Sequence, residues 1–352
     1  MFGTDDVLLG SSNVAGLQVQ MAFWAQSFSN NGWDTYSFSK NKKQTLLGIH
    51  YIEHKESSLL KKFHLSIIDT FRLYWKGFTI QPSLIIFRGF SKGLYLLATL
   101  CRLFRVKLVF FGASDVNFCP GKELPAGNND QTKAFQKGLK KVDYFVAQNS
   151  YQNEMLYLNY KKEALVLPNI WIEQTIDAGN EKKYAAVWVS NFRKLKRPEW
   201  FVELAKALPQ YKFAIAGGGR LDCELYDKIH NQAETLQNLD FLGPQPWLSV
   251  LSLMSSSFLV VCTSEFEGFP NTFLQAWSLG LPVVSTVDPS EIIIDNKLGF
   301  VVESPEELID KVALLITDNT IYNKCADNVT TYFVNNHSAQ IGYSKLIEYI
   351  NN

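Results

Sequence analysis

The segment Ser264 to Val284, SEFEGFPNTFLQAWSLGLPVV, gathers the side chains of this sequence best suited to chemistry. Glu267 offers a carboxylate in a loop with Gly268, Pro270 stands where proline commonly opens a helix, and Gln275 follows eight positions after Glu267. With a helix from about Asn271 to Leu279, Gln275 lies roughly two turns along, about a dozen ångströms from Glu267. That span suits a ligand as long as a nucleotide sugar. The amides of about Asn271 to Phe273 could receive a diphosphate, because free N–H groups and the helix dipole favour anions there. The plain alternative makes Glu267 a helix-start acid and Gln275 a solvated face residue.

A second constellation is VSNFRKLKRPEW, Val189 to Trp200, in which Arg193, Lys194, Lys196 and Arg197 crowd before a helix starting near Pro198. Arginine grips phosphate oxygens bidentately and lysine supplies a point charge, so the loop could neutralise a diphosphate without a metal ion. A solvated basic patch is the competing account. Gly16, entering a helix after SSNVA, and the run AGGG at 216–219 are weaker signals, since a lone glycine serves a turn and AGGG lacks dinucleotide spacing. The five histidines form no ligand cluster, with His50 and His54 only a poor pair, so no metal is expected.

Short apolar runs alternate with helix-length segments along the chain. LIIF (84–87) precedes Ser91 to Phe104, and VLLG (7–10) precedes Gly16 to Asn31. AAVWVS (185–190), KFAIAGGG (212–219) and SFLVVCTS (257–264) repeat the rhythm in the second half. Such alternation predicts parallel sheets wrapped by helices, an α/β fold. With 352 residues, two domains are expected, bounded where Pro168 and Asn169 interrupt EALVLPNIWIE: 1–170, 171–330, and a C-terminal helix at 331–352 open to crossing back onto the first domain.

The first 170 residues carry 20 Lys/Arg against 12 Asp/Glu, leaving 14 against 22, so a net charge of zero conceals halves of +8 and −8. This asymmetry aims the first half at an anionic surface or substrate, or draws the halves together. Leu59 to Phe78 and Ser91 to Lys107 mix aromatics with cations, as peripheral membrane surfaces and ordinary core-facing helices both do. Five scattered cysteines and no basic-then-apolar leader favour a reducing cytoplasm, with the inner face of the membrane also open. No nucleic-acid partner is expected.

EGFPNTFLQAWSLGLPVVST resembles the glutamate-x7-glutamate signature of the retaining glycosyltransferase family 4, part of glycosyltransferase group 1. VSNFRKLKRPEW, FAIAGGG, FLGPQPW and LGFVVESPEEL follow in the family's order, and AGLQVQ, VDYFVAQNS and LPNI resemble its first half. The resemblance implies the GT-B fold, two Rossmann-like domains with parallel sheets facing across a cleft. It implies transfer from a UDP or GDP sugar to a glycan or lipid-linked acceptor in cell-surface polysaccharide or glycolipid synthesis, with no cofactor. Glu267 would sit against the donor sugar and Arg193 and Lys196 would hold the diphosphate. Main chain at Gly268, Phe269, Pro270, Asn271, Thr272 and Phe273 would contact sugar and phosphate. Gly16 would let the first-domain loop approach the donor, and Leu242 would meet the base through its backbone.

Two departures stand out. The signature's second glutamate, which grips the ribose, is Gln275, and the acceptor domain's frequent histidine is absent from FFGASDVNF, where Asp115 occupies comparable space as a candidate catalytic group. They motivate the alternative of a non-catalytic nucleotide-sugar-binding protein. An epimerase or phosphorylase is a weaker alternative, since no cofactor lysine or epimerase acid pair is evident.

Overall fold

The computed structural model describes residues 16–39, 48–53, 71, 74–119, 129–172, 182–219, 222–267 and 269–352. The apolar run at 7–10, most of 59–78 and Gly268 therefore lie outside the described residues. The chain divides into two compact units: the described residues up to 172 with Ala339–Asn352, and those from 182 to Ser338. The change of unit near the C-terminus falls at 338/339, within the segment predicted as one helix from 331.

The first unit contains β1 (Thr35–Ser39) and β2 (Ile49–Glu53), a parallel pair, and a parallel four-stranded sheet ordered β3-β4-β5-β6. Its strands are Leu84–Arg88, Lys107–Phe111, Tyr144–Ala147 and Leu165–Val166. Helices α1 (Gly16–Asn30), α2 (Leu94–Phe104), α3 (Asn129–Leu139) and α4 (Ser150–Tyr160) alternate with them. Four of five residues in both β3 and β4 are buried, the near-continuous apolar run of a strand covered on two faces. Phe110 centres this core, with Phe118, Phe135 and Phe145 at ring-centroid distances of 5.8, 5.7 and 6.2 Å.

In the second unit, β7 (Tyr184–Val189), β8 (Phe213–Ala216), β9 (Leu239–Gly243), β10 (Ser257–Cys262), β11 (Val283–Ser285) and β12 (Gly299–Val301) form one parallel sheet. Its order is β12-β11-β10-β7-β8-β9. The chain thus builds outward from β7 to β9, then returns to place β10 on the other flank of β7. Helices α5 (Pro198–Ala207), α6 (Cys223–Glu234), α7 (Trp247–Ser255), α8 (Asn271–Trp277), α9 (Ile292–Asn296), α10 (Pro305–Thr317) and α11 (Asn319–His337) connect or follow the strands. Asp222 caps α6 and Ser304 caps α10, each side chain accepting an orphan amide at the helix start.

The last helix, α12 (Ala339–Asn351), belongs to the first unit. Tyr343 Oη accepts from Trp33 Nε1 at 2.8 Å, and Lys107 Nζ donates to the Ile350 carbonyl at 2.9 Å. Gly342 is required here, since a Cβ would stand 2.4 Å from Ile170 Cγ2. Among the described residues no helix is long and apolar enough to cross a membrane.

Candidate active site

The reversal of strand order between β7 and β10 is a topological switch point, and open α/β sheets take ligands beyond the carboxyl ends of the strands there. Both constellations singled out in the sequence emerge at that place. The chain leaving β7 enters a 3₁₀ turn, Lys194–Lys196, while the chain leaving β10 passes Thr263 and Ser264 into the Glu267 loop.

The two loops are stitched together. The Glu265 amide donates to the Leu195 carbonyl at 2.7 Å, and Thr263 Oγ1 donates to the Lys196 carbonyl at 2.6 Å. Trp188 Nε1, buried in β7, donates to the same Thr263 hydroxyl at 2.9 Å. Arg197 holds a left-handed backbone, φ 44°, and its Nε and Nη2 donate to the carbonyls of Thr263 and Ser264 at 2.8 and 3.2 Å. Its guanidinium also stacks over Trp200, 4.2 Å from the ring centroid. Of the four cations, Arg197 is thus a brace between loops, whereas Arg193 and Lys194 are exposed.

Lys196 points the other way and forms an ion pair with Glu267, whose Oε1 also accepts from Ser264 Oγ at 3.2 Å. Burial pushes the Lys196 ammonium pKa down, Arg193 adds to that effect, and Cys262 opposes it. Glu267 is not the helix-start acid of the plain alternative: α8 is capped by Pro270 without a side-chain hydrogen bond, and the Glu267 carboxylate turns towards the β7 loop.

Helix α8 is short, and every residue from Phe273 to Trp277 is buried. Gln275 is only 7% exposed, so the solvated-face account fails because this helix presents almost no solvent face. Asn271 and Thr272 are half-buried at its start. The Phe273 amide donates to the Pro270 carbonyl at 3.0 Å, which engages one of the three amides expected to receive a diphosphate. Phe269 packs edge-on against Phe273 and Trp277.

Leu242 lies near the carboxyl end of β9, and its carbonyl accepts from Gln245 Nε2 at 2.6 Å. The AGGG run has a packing cause. A Cβ on Gly217 would sit 1.7 Å from the Ser190 carbonyl oxygen, so only glycine lets the end of β8 approach the start of the basic loop. Gly16 opens α1 and Asp115 opens a 3₁₀ turn, Asp115–Phe118, both in the first unit. Asp115 Oδ1 accepts from Gln152 Nε2 at 3.0 Å. Thr263, Ser264 and Thr286, whose hydroxyl donates to the Ser264 carbonyl, were not singled out in the sequence. Their one sequence signal is a polar cluster directly after an apolar strand.

Two parallel α/β units, one with its ligand-side loops joined at a switch point, define a GT-B fold. The solved structure of WaaG, a glycosyltransferase involved in lipopolysaccharide biosynthesis, aligns over 100% of this chain and 99% of its own at TM-score 0.67 and 16% identity. Residues 169–331, the part of the chain containing both loops, match the family model for glycosyl transferases group 1.

Two curated relatives agree with that match. The GtfA subunit of a UDP-N-acetylglucosamine–peptide N-acetylglucosaminyltransferase from Streptococcus pneumoniae is 26% identical over 185 residues, 48% of this chain and 36% of the relative. A UDP-Gal:α-D-GlcNAc-diphosphoundecaprenol α-1,3-galactosyltransferase from Escherichia coli is 27% identical over 150 residues, 40% of this chain and 38% of the relative. The alignments span less than half the length of these relatives.

Proposed function

We propose that this chain is a retaining glycosyltransferase that moves a sugar from a UDP or GDP sugar to a glycan or lipid-linked acceptor in cell-surface glycan synthesis. The observation that carries the reading is the ion pair of Lys196 and Glu267 at the switch point of the second unit. Without donor, the two charges satisfy one another, which avoids leaving either half-buried and uncompensated. A donor diphosphate competes for Lys196, assisted by the exposed Arg193, and frees Glu267 to face the sugar at its anomeric carbon.

As the glycosidic bond opens, the leaving diphosphate gathers charge that Lys196, Arg193 and amides near Asn271 and Thr272 stabilise more in the transition state than in the ground state. In this reading these cations do the neutralising and no metal ion takes part. Main chain from Phe269 to Phe273 lines the sugar and phosphates, Gln275 bonds the ribose, and Leu242 meets the base through its backbone. Asp115 stands on the acceptor side. Both curated relatives are named for UDP-sugar donors, and one is named for a diphosphate-lipid acceptor, which supports both halves of the proposal.

An association with an anionic membrane face fits the same reading. Trp75, Leu103 and Phe104 are exposed on the first unit, with Trp75 and Phe104 rings 6.0 Å apart and Arg102 and Arg105 on the adjoining helix end. Flotation with anionic liposomes at physiological salt tests it, and no binding would remove it.

The function is tested by incubating the protein with a panel of nucleotide sugars and glycan or lipid-diphosphate acceptors and analysing products by mass spectrometry and anomeric NMR. An α-configured glycoside from an α-donor is expected. Calorimetric donor binding with no turnover on any acceptor would favour the non-catalytic alternative, and an inverted anomer would overturn the retaining mechanism.

A further inference from the structure

The carboxyl edge of the first unit's sheet holds a row of polar side chains that the donor chemistry leaves unused. Asp115 Oδ1 accepts from Gln152 Nε2, and that same amide donates to Gln148 Oε1 at 3.3 Å. Gln148 Nε2 donates to Asn169 Oδ1 at 2.9 Å, and Arg88 Nη2 donates to the same oxygen at 2.7 Å. Arg88 closes β3, Gln148 follows β5 and Asn169 follows β6. The row thus lies where a parallel sheet takes its ligands.

Arg88 is the anomaly in it. The residue is 8% exposed, its Nε is buried with no hydrogen-bond partner, and its guanidinium meets a neutral amide. Among the described residues no carboxylate pairs with it, and Asp115, at the far end of the row, is separated from it by three amide side chains. Burial pushes the guanidinium pKa down to about 10, which leaves it charged at neutral pH. A neutral donor would serve as well to hold the Asn169 amide. A buried charge that lacks a counter-ion is costly to keep unless a ligand supplies one.

We propose that Arg88, with Gln148 and Asn169 beside it, forms an anion subsite that receives a phosphoryl group of the acceptor. This rests on the transferase reading above and narrows its acceptor to a phosphorylated class. Guanidinium and phosphoryl oxygens match in planar, bidentate geometry, and the excess of cations in the first half of the chain favours the approach of such a ligand. A lipid-linked diphosphate and a soluble sugar phosphate share this chemistry.

The test uses the full chain carrying Arg193→Ala and Lys196→Ala, so that the donor-side cations are gone. Inorganic pyrophosphate is titrated while the Arg88 Nε–H resonance, assigned by its loss in Arg88→Lys, is followed by NMR. A saturable shift is expected, and it is expected to vanish in Asn169→Asp, whose carboxylate supplies the missing counter-ion internally. An unmoved resonance, or an Asn169→Asp protein that responds as its parent does, overturns the subsite.

A kinetic arm uses the otherwise unchanged protein. Arg88→Gln is expected to raise the KM for a phosphorylated acceptor about tenfold, the loss of one charge-assisted contact, with donor KM unchanged. An equal rise in donor KM would mark a merely structural role and overturn the subsite. Lipid-diphosphate and soluble sugar-phosphate acceptors run in parallel, and the one whose KM responds identifies the source. A pyrophosphate shift without glycosyl transfer sinks the transferase reading and leaves the subsite, whereas transfer with an Arg88-indifferent acceptor KM sinks the subsite alone.

Discussion

Lys196 and Glu267, 71 positions apart in sequence, meet as an ion pair with side chains 15% and 23% exposed. Removing either charge strands the other in a largely desolvated place. Glu267→Gln is expected to lower stability by about 2 kcal/mol, between the values for exposed and buried pairs. It is also expected to lower kcat by about a hundredfold, the scale of one lost electrostatic contact to a transition state. The double variant Lys196→Met/Glu267→Leu separates the two effects. Chemical denaturation should show most of the stability restored, while transfer stays lost. Wild-type turnover in Glu267→Gln would remove its catalytic assignment.

Gly217 controls how closely β8 approaches the basic loop. Gly217→Ala places a methyl group 1.7 Å from the Ser190 carbonyl oxygen, a backbone atom that cannot swing aside as the end of a flexible side chain would. The strand end must shift, at a cost of about 1–3 kcal/mol for overpacking. Because Ser190 leads into Arg193 and Lys196, donor KM should rise with the loss of stability. Gly218→Ala is the control, since its Cβ would find its nearest neighbour at 3.5 Å. Equal effects of the two substitutions in urea unfolding and in donor kinetics would contradict the close-approach account.

Strands β7 and β10 could be read from sequence because both are unbroken apolar runs ended by small polar residues. The loops after them were legible as chemistry because cations and an acid followed those runs. Their union was not, because it depends on β10 returning to the flank of β7, and hydrophobic pattern carries no strand order. Arg197 reads in the sequence as one of four crowded cations in a loop able to neutralise a diphosphate. Its inward turn depends on a left-handed backbone that nothing in KLKRPEW announces. Helix α8 stops at Trp277, two residues before the expected end, where 278–280 form a turn and Gly280 takes φ +68°. The burial of Gln275 follows from packing on almost all sides of a seven-residue helix, which a periodicity of 3.6 does not reveal.

Acid should weaken the second unit through Asp240. Burial alone would raise its pKa, but hydrogen bonds from Tyr184, at 2.7 Å, and Lys212, with the charges of Lys212 and Lys183, bring it below the ordinary value. A carboxylate with a lowered folded pKa stabilises the protein above its unfolded pKa, and that contribution fades as pH falls through the folded value. The loss therefore begins near about pH 4 and continues below it. Asp240→Asn should flatten this limb of the stability-versus-pH curve measured by urea unfolding and reduce stability at neutral pH. An unchanged acid limb would show that other carboxylates govern it.

Gln275→Glu asks whether the buried amide of α8 faces the nucleotide. In donor-free protein the new carboxylate would be desolvated at a position only 7% exposed, at a cost of about 1–3 kcal/mol. With donor bound, ribose hydroxyls would donate to a charged acceptor, and charge-assisted bonds are roughly twice as strong as neutral ones. The substitution should therefore lower the thermal midpoint without donor, yet tighten donor binding by a factor of about 5, or about 1 kcal/mol. The opposite signs separate the proposed contact from ordinary core damage. A carboxylate distant from the ribose would lower the midpoint equally with and without donor and leave the calorimetric Kd unchanged. Affinity gained at the expense of donor-free stability would place Gln275 on the ribose.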